Sequence, residues 1–288
     1  MLVPALVSGL VLGAIYALVG TSLNLIFGVI KVINFAHGAF LMLAVYIAYW
    51  TTLVIGIDAY LTLPVVVVVM AAFGYVFQSV LINPVLNKHR ISQLLITFGA
   101  GMAITNGVQA VAGPDHRSVH TFLSSTVWTV GNLRIGAPSL VLVAVTAISI
   151  GVLFLFLNRT RLGTAIRAVS QQPDSAELAG INVKRIYAIA FAIGCALVGI
   201  AAVLMAPLYD INPSMGEVFG IMAFIVVVLG GLGNVQGAAL GGLVLGVGQN
   251  LFATYVNFQM SIAFVFLFFI IILLVRPTGL FGRAARVA

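Results

Sequence analysis

Two polar side chains interrupt the apolar first part of the sequence. Asn34 and His37 lie within Lys31–Gly38, a short polar stretch between two long apolar runs. Their three-residue spacing predicts that they share a face on a helical turn. An amide and an imidazole at membrane depth usually face a bundle interior or a water-filled route. The alternative is a pair of hydrogen-bonding groups that hold a break in a helix together. Neither interpretation is catalytic.

The longest polar stretch, Asn158–Arg185, indicates contact with a soluble partner or with lipid. Pro173, two acids after it and then Gly180 predict a short helix, because proline and acids favour a first turn and glycine favours the position after the last. A helical connection of about two dozen residues is longer than most connections need. It is interpreted either as a cationic loop facing lipid or as a helix that docks into a groove on a partner.

Glycines recur through Gly230–Gly246 and resemble a dinucleotide-binding loop at first sight. The spacing of Gly231, Gly233 and Gly237 is G-x-G-x-x-x-G rather than G-x-G-x-x-G, and no acidic residue follows to hold a ribose. The four-residue spacing of Gly233, Gly237 and Gly241 predicts instead a helix face on which another backbone packs closely.

Enzyme signatures are missing from the sequence. It contains no H-E-x-x-H zinc motif, no G-x-S-x-G nucleophile turn and no G-x-x-x-x-G-K-[ST] phosphate loop. Three of the four histidines lie in predicted loops, away from any set with metal-ligand spacing. We therefore expect no catalytic residue, no metal site and no cofactor in this chain. If ATP drives its activity, another chain hydrolyses it.

Composition defines the elements that must position these residues. Of 288 residues, 62% are hydrophobic and 7% charged, against roughly 45–50% and about 25% in soluble domains. Since no polar block could fold in water by itself, we expect a single transmembrane domain over 1–288, an all-α integral membrane protein. The basic residues behind the net charge of +7 punctuate apolar runs, which indicates topology rather than nucleic-acid binding. Cys195, the single cysteine, is expected to be a buried hydrophobe.

A membrane-spanning helix needs about 20 predominantly apolar residues. Six charge-free stretches predict spans before the final third, at about 5–30, 39–57, 62–83, 91–112, 138–158 and 186–208. Val218–Val275 carries no charge and predicts either two full spans plus a partial one or three short spans. We therefore expect eight or nine transmembrane helices, some short or broken, with one further cytoplasmic helix.

Basic residues predict which loops are cytoplasmic. Most of them fall in three groups, which the positive-inside rule assigns to the cytoplasm. These are Lys88 and Arg90; Arg159, Arg161, Arg167, Lys184 and Arg185; and Arg276, Arg283 and Arg286. The loop 113–137 is then external, the loop 159–185 and the carboxyl terminus are cytoplasmic, and an external amino terminus is favoured.

The sequence Gly-Leu-Val-Leu-Gly occurs twice, at Gly9–Gly13 and Gly242–Gly246. It indicates either an internal duplication, as in many transporters, or two close-packed helix faces that use small residues at four-residue spacing independently. The second interpretation is favoured, because five residues of common types are a weak sign of duplication.

Several patches occur in one order along essentially the whole chain. They are Ile33–Gly38, Gly163–Ala168, Leu178–Ile181, Ile211–Pro213, Val228–Gly233, Gly241–Gly246 and Arg276–Leu280. Together they resemble the permease subunits of ABC importers for branched-chain amino acids, the LivH type.

The resemblance implies one subunit of a larger assembly in the bacterial inner membrane. It implies a second, homologous permease that would form a heterodimer with this chain, two cytoplasmic ATPases that bind ATP and Mg²⁺, and a periplasmic substrate-binding protein. The other contact is the lipid bilayer, and no nucleic acid is expected. The resemblance also implies that 168–181 is a coupling segment, which transmits closure of the ATPases to the spans.

Two sets of residues are assigned roles on this basis. The coupling role is assigned to Arg167, Ala168, Asp174, Glu177, Leu178, Gly180 and Ile181. The substrate route is assigned to Asn34, His37, Asn212 and Glu217. Glu217 has two other interpretations, a solvated acid in an external loop and a contact with the binding protein.

The cargo stays open at this point. The residue after the Ile33–Gly38 patch is commonly acidic in the family and is Ala39 here, so a cargo without an ammonium group is one possibility. Related permeases also carry urea, short amides and aromatic or other carboxylic acids. Two rival classes remain. An ion-coupled secondary transporter would need intramembrane ionisable residues, of which there are few beyond His37. A membrane-embedded enzyme would need a nucleophile with a base, or a metal set.

Overall fold

The computed structural model describes residues 2–86, 88–130 and 133–282. Arg283 and Arg286, two of the basic residues used above for topology, lie outside the described residues. The helices are α1 (Leu2–Ile30), α2 (His37–Ile55), α3 (Leu63–Phe77), α4 (Arg90–Ala112), α5 (Ala137–Arg159), α6 (Arg161–Gln171), α7 (Pro173–Leu178), α8 (Val183–Met205), α9 (Met215–Gly230), α10 (Val235–Tyr255) and α11 (Ser261–Val275). A 3₁₀ turn (Ala59–Thr62) precedes α3, and a π turn (Gln78–Ile82) and a 3₁₀ turn (Asn83–Val85) extend it.

Apolar helices of membrane-spanning length dominate the described residues. Seven segments qualify, namely α1, α2, the composite 59–85, α4, α5, α8 and α10. Helices α9 and α11 are apolar but shorter, at 16 and 15 residues. The prediction of an all-α membrane protein with eight or nine spans, some short, is confirmed.

The final third differs in detail from its prediction. It forms one full-length helix, α10, between two short ones, rather than two full spans or three short ones. Helix α9 ends because Gly231 and Gly233 adopt positive φ angles of 90° and 81°, which glycine tolerates best. Helix α10 ends near Asn257, whose side chain accepts hydrogen bonds from the amides of Gln259 and Met260.

A small hairpin lies in the loop between α4 and α5 and was not expected from the sequence. Strands β1 (Val127–Val130) and β2 (Leu133–Gly136) pair antiparallel, with Val127 opposite Gly136. Because the hairpin is short and isolated, it does not change the fold class.

The two copies of Gly-Leu-Val-Leu-Gly are the two sides of one helix contact. A Cβ atom added at Gly9 would lie 2.9 Å from the Cα of Val247, and one added at Gly246 would collide with the backbone of Gly13. Beside this contact the Tyr16 hydroxyl donates a hydrogen bond of 2.8 Å to Oε1 of Gln249. The copies therefore pack against each other instead of serving separate interfaces, and α1 and α10 approach at backbone distance.

Helix α8 lies in the centre of the bundle. Its Cys195 is fully buried, as expected, against Gly74 of α3, where an added Cβ would lie 2.7 Å from the cysteine Sγ. Next to it, Phe191 packs on Phe40 and Phe77 with ring centroids 6.0 and 5.6 Å apart. This aromatic cluster ties α2, α3 and α8 into one core.

Contacts between loops show which loops lie together at each end of the bundle. At one end Lys31, Arg90, Ser170 and Gly233 line a common pocket. We assign this end to the cytoplasm from its basic residues, as the positive-inside rule predicts.

At the other end, Arg117 donates a hydrogen bond of 3.2 Å to the Tyr49 hydroxyl and pairs through its backbone with Ile211. The Asn250 amide there donates to the carbonyl of Ala5 at 2.7 Å, near the start of α1. The start of α1 therefore lies at the end of the bundle opposite these basic residues, and its external location stays a prediction.

Candidate functional site

The chain between α1 and α2 crosses membrane depth without regular structure. We call residues 31–36 the connecting segment. Lys31 has a φ angle of 58° and is the one non-glycine residue with a positive φ among those that the structure describes. The residues from Lys31 to Asn34 form neither helix nor strand. Irregular backbone at this depth is tolerated where it is buried in protein or lines a wet cavity.

Asn34 closes the turn that starts α2. Its Oδ1 accepts a hydrogen bond of 3.1 Å from the Ala36 amide, and its carbonyl accepts one of 3.3 Å from the His37 amide. Asn34 is 4% exposed, and its Nδ2 is buried without a partner. Asn34 therefore precedes the helix rather than lying on a helical turn with His37, because α2 begins at His37.

His37 is held by α1. Its Nε2 lies 2.9 Å from Oγ of Ser22 and 3.3 Å from the carbonyl of Val19. Ser22 donates its own proton to that carbonyl at 2.6 Å, so Oγ acts as the acceptor toward His37. This pattern places the imidazole proton on Nε2 and leaves Nδ1, which is buried and without a partner, with a free lone pair.

A cavity of about 560 Å³ opens beside these residues. We call it the central cavity. Its walls come from the connecting segment, the first turn of α2, the middle of α4 and the first half of α9. Apolar side chains line much of it, together with several polar ones. The apolar residues include Leu23, Ile33, Phe35, Ala39, Phe98, Met102, Pro213, Ile221 and Phe224. The polar residues are Asn34, His37, Thr105, Asn106, Gln109, Ser214 and Glu217. An apolar pocket with few polar groups is the usual form of a small-molecule site.

Three of the four residues assigned to the route come together at this cavity. Asn34, His37 and Glu217 line it, whereas Asn212 does not. Oδ1 of Asn212 instead accepts hydrogen bonds from the amide and the hydroxyl of Ser214, at 3.1 and 2.8 Å. Asn212 therefore shapes the loop before α9, and Ser214 is the polar residue of that loop that lines the cavity.

Glu217 lies in the first turn of α9 and is exposed. An acid is favourable there, because the amino end of a helix carries partial positive charge. Within the described residues that line the central cavity, Glu217 is the acidic one. Glu217 is thus an exposed residue of the cavity wall and lies at the start of a helix rather than in the loop before it.

Glycines hold α2 and α9 together at the cavity wall. A Cβ atom at Gly216 would lie 2.5 Å from the carbonyl oxygen of Gly38, and one at Gly220 would lie 3.0 Å from the Gly38 Cα. Sequence reasoning missed this contact, although Gly216 and Gly220 have the four-residue spacing of close-packed membrane helices. The first turns of both helices meet at this point.

Polar residues of α4 were also missed. Thr105, Asn106 and Gln109 line the central cavity from the second half of α4. The Asn106 amide donates to the carbonyl of Met102 at 2.9 Å, one turn earlier. Their spacing within one turn was the available signal, because residues four apart share a helix face.

The cytoplasmic loop contains two helices rather than one. Helix α6 buries Gly163, Ile166 and Val169 against the bundle. It ends at Gln171 because Pro173 keeps the residue before it, Gln172, in an extended conformation with φ −143° and ψ 92°. The predicted short helix is α7, and the amphipathic helix α6, which packs against the bundle, precedes it.

Helix α7 presents side chains outward. Ala176 is buried, whereas Leu178 is 91% exposed and Asp174 and Glu177 are exposed. Gly180 adopts φ 82°, and the amide of Ile181 donates to the carbonyl of Ala176 at 3.0 Å. This glycine-based cap fixes the end of the helix.

Arg167 and Ala168 lie on the preceding helix, α6. The Arg167 guanidinium donates to Oδ1 of Asn158 at 2.6 Å and to the hydroxyl of Thr164 at 3.4 Å. Ala168 is half-buried against the bundle. Arg167 thus connects α6 to the end of α5.

The glycines of 233–241 divide into two groups. Gly237 and Gly241 lie on α10, where an added Cβ would meet the backbone of Gly230. Gly233 lies before α10 begins, in the turn that follows α9, where an added Cβ would lie 3.5 Å from the Cα of Gly28. The close approach therefore involves a helix face and a turn.

Asn24 of α1 clamps that turn. Its Nδ2 donates to the carbonyls of Gly231 at 3.2 Å and Asn234 at 2.7 Å, and its Oδ1 accepts from the Gly233 amide at 2.7 Å. Asn234 in turn caps α10 by accepting from the Gly237 amide at 3.1 Å. Sequence reasoning overlooked Asn24, a single amide within an apolar span.

A second pocket, of about 550 Å³, lies at the cytoplasmic end. We call it the cytoplasmic pocket. Its lining residues are Phe27, Gly28, Lys31, Ile33, Arg90, Gln93, Leu94, Ser170, Leu232 and Gly233. Among the described residues, no group of three or more histidine, cysteine or acidic side chains could hold a metal ion.

Comparisons with known proteins agree with the resemblance seen in the sequence. The family model described as "Branched-chain amino acid transport system / permease component" matches residues 5–275. The high-affinity branched-chain amino acid transport system permease protein BraD of Pseudomonas aeruginosa is 34% identical, over 96% of this chain and 95% of its own length. LivH of Escherichia coli, with the same description, is 32% identical over 96% and 94%.

More distant relatives extend the same picture. A probable branched-chain amino acid transport permease protein LivH of Methanocaldococcus jannaschii is 28% identical over 92% of this chain and 88% of its own. No solved structure matches the chain. With a family match from residue 5 to 275 and bacterial relatives above 30% identity along nearly their whole length, the chain belongs to the permease component family of branched-chain amino acid transport systems.

Proposed function

We propose that the chain is the transmembrane permease subunit of an ATP-driven importer in the bacterial inner membrane, and that its cargo is a branched-chain or other hydrophobic amino acid. The observation that carries the proposal is the match to permeases of that description along 96% of the chain. Seven apolar helices of membrane-spanning length and two shorter ones, α9 and α11, support a multi-pass membrane location.

The chemistry of the central cavity supports an amino acid as cargo. Phe98, Ile221 and Phe224 offer an apolar surface for an aliphatic side chain, and Glu217 offers a carboxylate for an ammonium group. Ala39 also lines the cavity, at a position where the family commonly has an acid. Although Ala39 provides no acid for an ammonium group, Glu217 of α9 supplies a carboxylate to the same cavity. Urea, short amides and carboxylic acids without an amine would use that carboxylate less well.

The cytoplasmic face supports coupling to separate ATPases. Helix α7 exposes Leu178 beside Asp174 and Glu177, and a short helix with an apolar tip and charged flanks suits a groove on a soluble partner. Helix α6 anchors it to the bundle through Ile166 and Val169. A push on α7 therefore reaches α5 and α8 through packed side chains. The ATP and Mg²⁺ are bound by the partner chains.

Two further partners complete the proposal. Helix α4 buries few of its residues within the chain, although it forms one wall of the central cavity. A second, homologous permease beside α4 would close that wall, which supports a heterodimer. A periplasmic binding protein would deliver the cargo at the external end.

Copurification and uptake test the proposal together. The chain is expressed with the genes that neighbour its own, purified through a tag on this subunit, and reconstituted into vesicles with its binding protein. We expect two ATPases and a second permease to copurify, and radiolabelled leucine to accumulate only with ATP. The variant Glu217→Gln should lower uptake, while Asn257→Asp, an exposed change in the loop between α10 and α11, serves as the control.

The outcomes separate the alternatives. Uptake of a carboxylate or an amide in place of leucine would keep the importer and replace the cargo. Ion-driven uptake by this chain alone would overturn the proposal in favour of a secondary transporter.

A further inference from the structure

The central cavity and the cytoplasmic pocket share one wall residue. Ile33 lines both of them, and no other residue of the described chain does. The two spaces have similar volumes, about 560 and 550 Å³. A continuous route from the cavity to the cytoplasm would therefore pass the side chain of Ile33.

Burial alternates along the connecting segment. Val32, Asn34 and Ala36 are buried, at 5%, 4% and 0% exposure. Of the residues that alternate with them, Lys31 and Phe35 are exposed and Ile33 is half-buried. Lys31 lines only the cytoplasmic pocket, Ile33 lines both spaces, and Phe35 lines only the central cavity. These three alternate positions therefore run from the cytoplasmic pocket to the central cavity.

The segment is held weakly and under local strain. The Thr97 hydroxyl of α4 lies 3.4 Å from the carbonyl of Ile33 but 3.0 Å from that of Leu94, so its one proton is shared with a nearer acceptor on its own helix. Lys31 occupies a left-handed conformation at φ 58°, which is costly for a residue with a Cβ. The Asn34 Nδ2 is buried without a partner. Strain and unpaired polar groups of this kind are found where a segment changes conformation as part of a mechanism.

We infer that the connecting segment is the cytoplasmic gate of the permease and that Ile33 is its barrier residue, which separates the central cavity from the cytoplasmic pocket. The inference rests on the proposed transport role and adds to it the place where the route is closed. Its neighbours fit this function. The Gly101 Cα approaches the segment so closely that an added Cβ would lie 3.2 Å from the Cα of Ala36, so a movement of α4 would move the segment with it.

Cysteine labelling from the cytoplasmic side tests the gate. The native Cys195 is fully buried and is replaced by alanine. Ala39→Cys then places one thiol in the wall of the central cavity. The complete assembly, in inside-out vesicles without nucleotide, is exposed to a charged methanethiosulfonate reagent, and the mass of the chain reports the labelling.

The expected results depend on the size of residue 33. With Ile33 present, the thiol stays unlabelled. With Ile33→Ala the thiol is labelled, and with Ile33→Leu protection returns. The control Ile221→Ala removes the same atoms from a residue that lines only the central cavity, and it leaves the thiol protected.

Two results would overturn the inference: labelling while Ile33 is present, or protection in Ile33→Ala equal to that in Ile221→Ala. If Ala39→Cys prevents assembly, Ser214→Cys, on the α9 side of the same cavity, takes its place with the same expectations. Labelling requires no cargo. A failed leucine uptake with a successful labelling pattern would therefore reject the proposed cargo and keep the gate, and the reverse pattern would reject the gate alone.

Discussion

Replacing Gly216 by alanine tests whether the contact between α2 and α9 controls the central cavity. The added Cβ would lie 2.5 Å from the Gly38 carbonyl oxygen, whereas Cβ atoms essentially never come closer than 3.0 Å to such neighbours. The obstacle is backbone, so a rotamer change cannot relieve it. The two helices must separate by about half an ångström or more at the cavity wall.

The magnitude follows from two opposing effects. Overpacking of this kind costs about 1–3 kcal/mol, and alanine recovers up to about 1 kcal/mol relative to glycine within a helix. We expect a net loss of about 1–2 kcal/mol. At about 2–4 °C per kcal/mol for a chain of this size, the unfolding midpoint should fall by roughly 2–8 °C. Because the displaced wall belongs to the route, uptake should fall as well.

The assay compares Gly216→Ala with Gly151→Ala in the purified assembly. Gly151 lies on α5, where an added Cβ would meet nothing within 4 Å, so the control isolates the helix-propensity effect. Thermal unfolding in detergent and leucine uptake in vesicles are measured for both variants. Equal midpoints and equal uptake for the two variants would refute the argument that this glycine contact is required.

Three further changes address the turn, the coupling helix and the histidine. Asn24→Ala removes three hydrogen bonds to the turn before α10, each of which contributes about 0.5–1.5 kcal/mol. The thermal unfolding midpoint of this variant should therefore lie well below that of Asn250→Ala, which removes one hydrogen bond. Gly180→Val places a β-branched residue at φ 82°, which costs roughly 1–2 kcal/mol. Fewer ATPase subunits should then copurify with the variant, while its insertion into the membrane persists. Gly180→Asn should still copurify with the ATPases. His37→Ala removes the contact with Ser22 and should lower uptake without releasing the ATPases; loss of the whole assembly would show that His37 is only structural.

The fold could be predicted from the sequence because apolar length determines a membrane span. Most boundaries agree within a few residues, as with α4, expected at 91–112 and observed at Arg90–Ala112. The turn at Gly231 and Gly233 was harder to place, since glycines also occur inside close-packed membrane helices. Helix α7 was predicted from Pro173 onward, whereas helix α6, which precedes it, was not predicted.

The cavity was only partly predictable. Asn34 and His37 stand out because they interrupt an apolar stretch, and both line the cavity. Gln109 lies within an apolar span, where the average hydropathy conceals it. The pairing of Gly38 with Gly216 joins residues that are far apart along the chain, and the spacing of small residues identifies a contact face without naming its partner.

The glycine contact between α1 and α10 has a consequence for biosynthesis. Tyr16 and Gln249, which bond beside it, are 233 residues apart. At about 5–20 residues per second, the ribosome needs roughly 10–50 s to make the chain between them. Until α10 has been made, the glycine face of α1 lacks this partner. An early helix of this chain is therefore completed by a much later one, and a chain released before α10 would leave α1 without this partner.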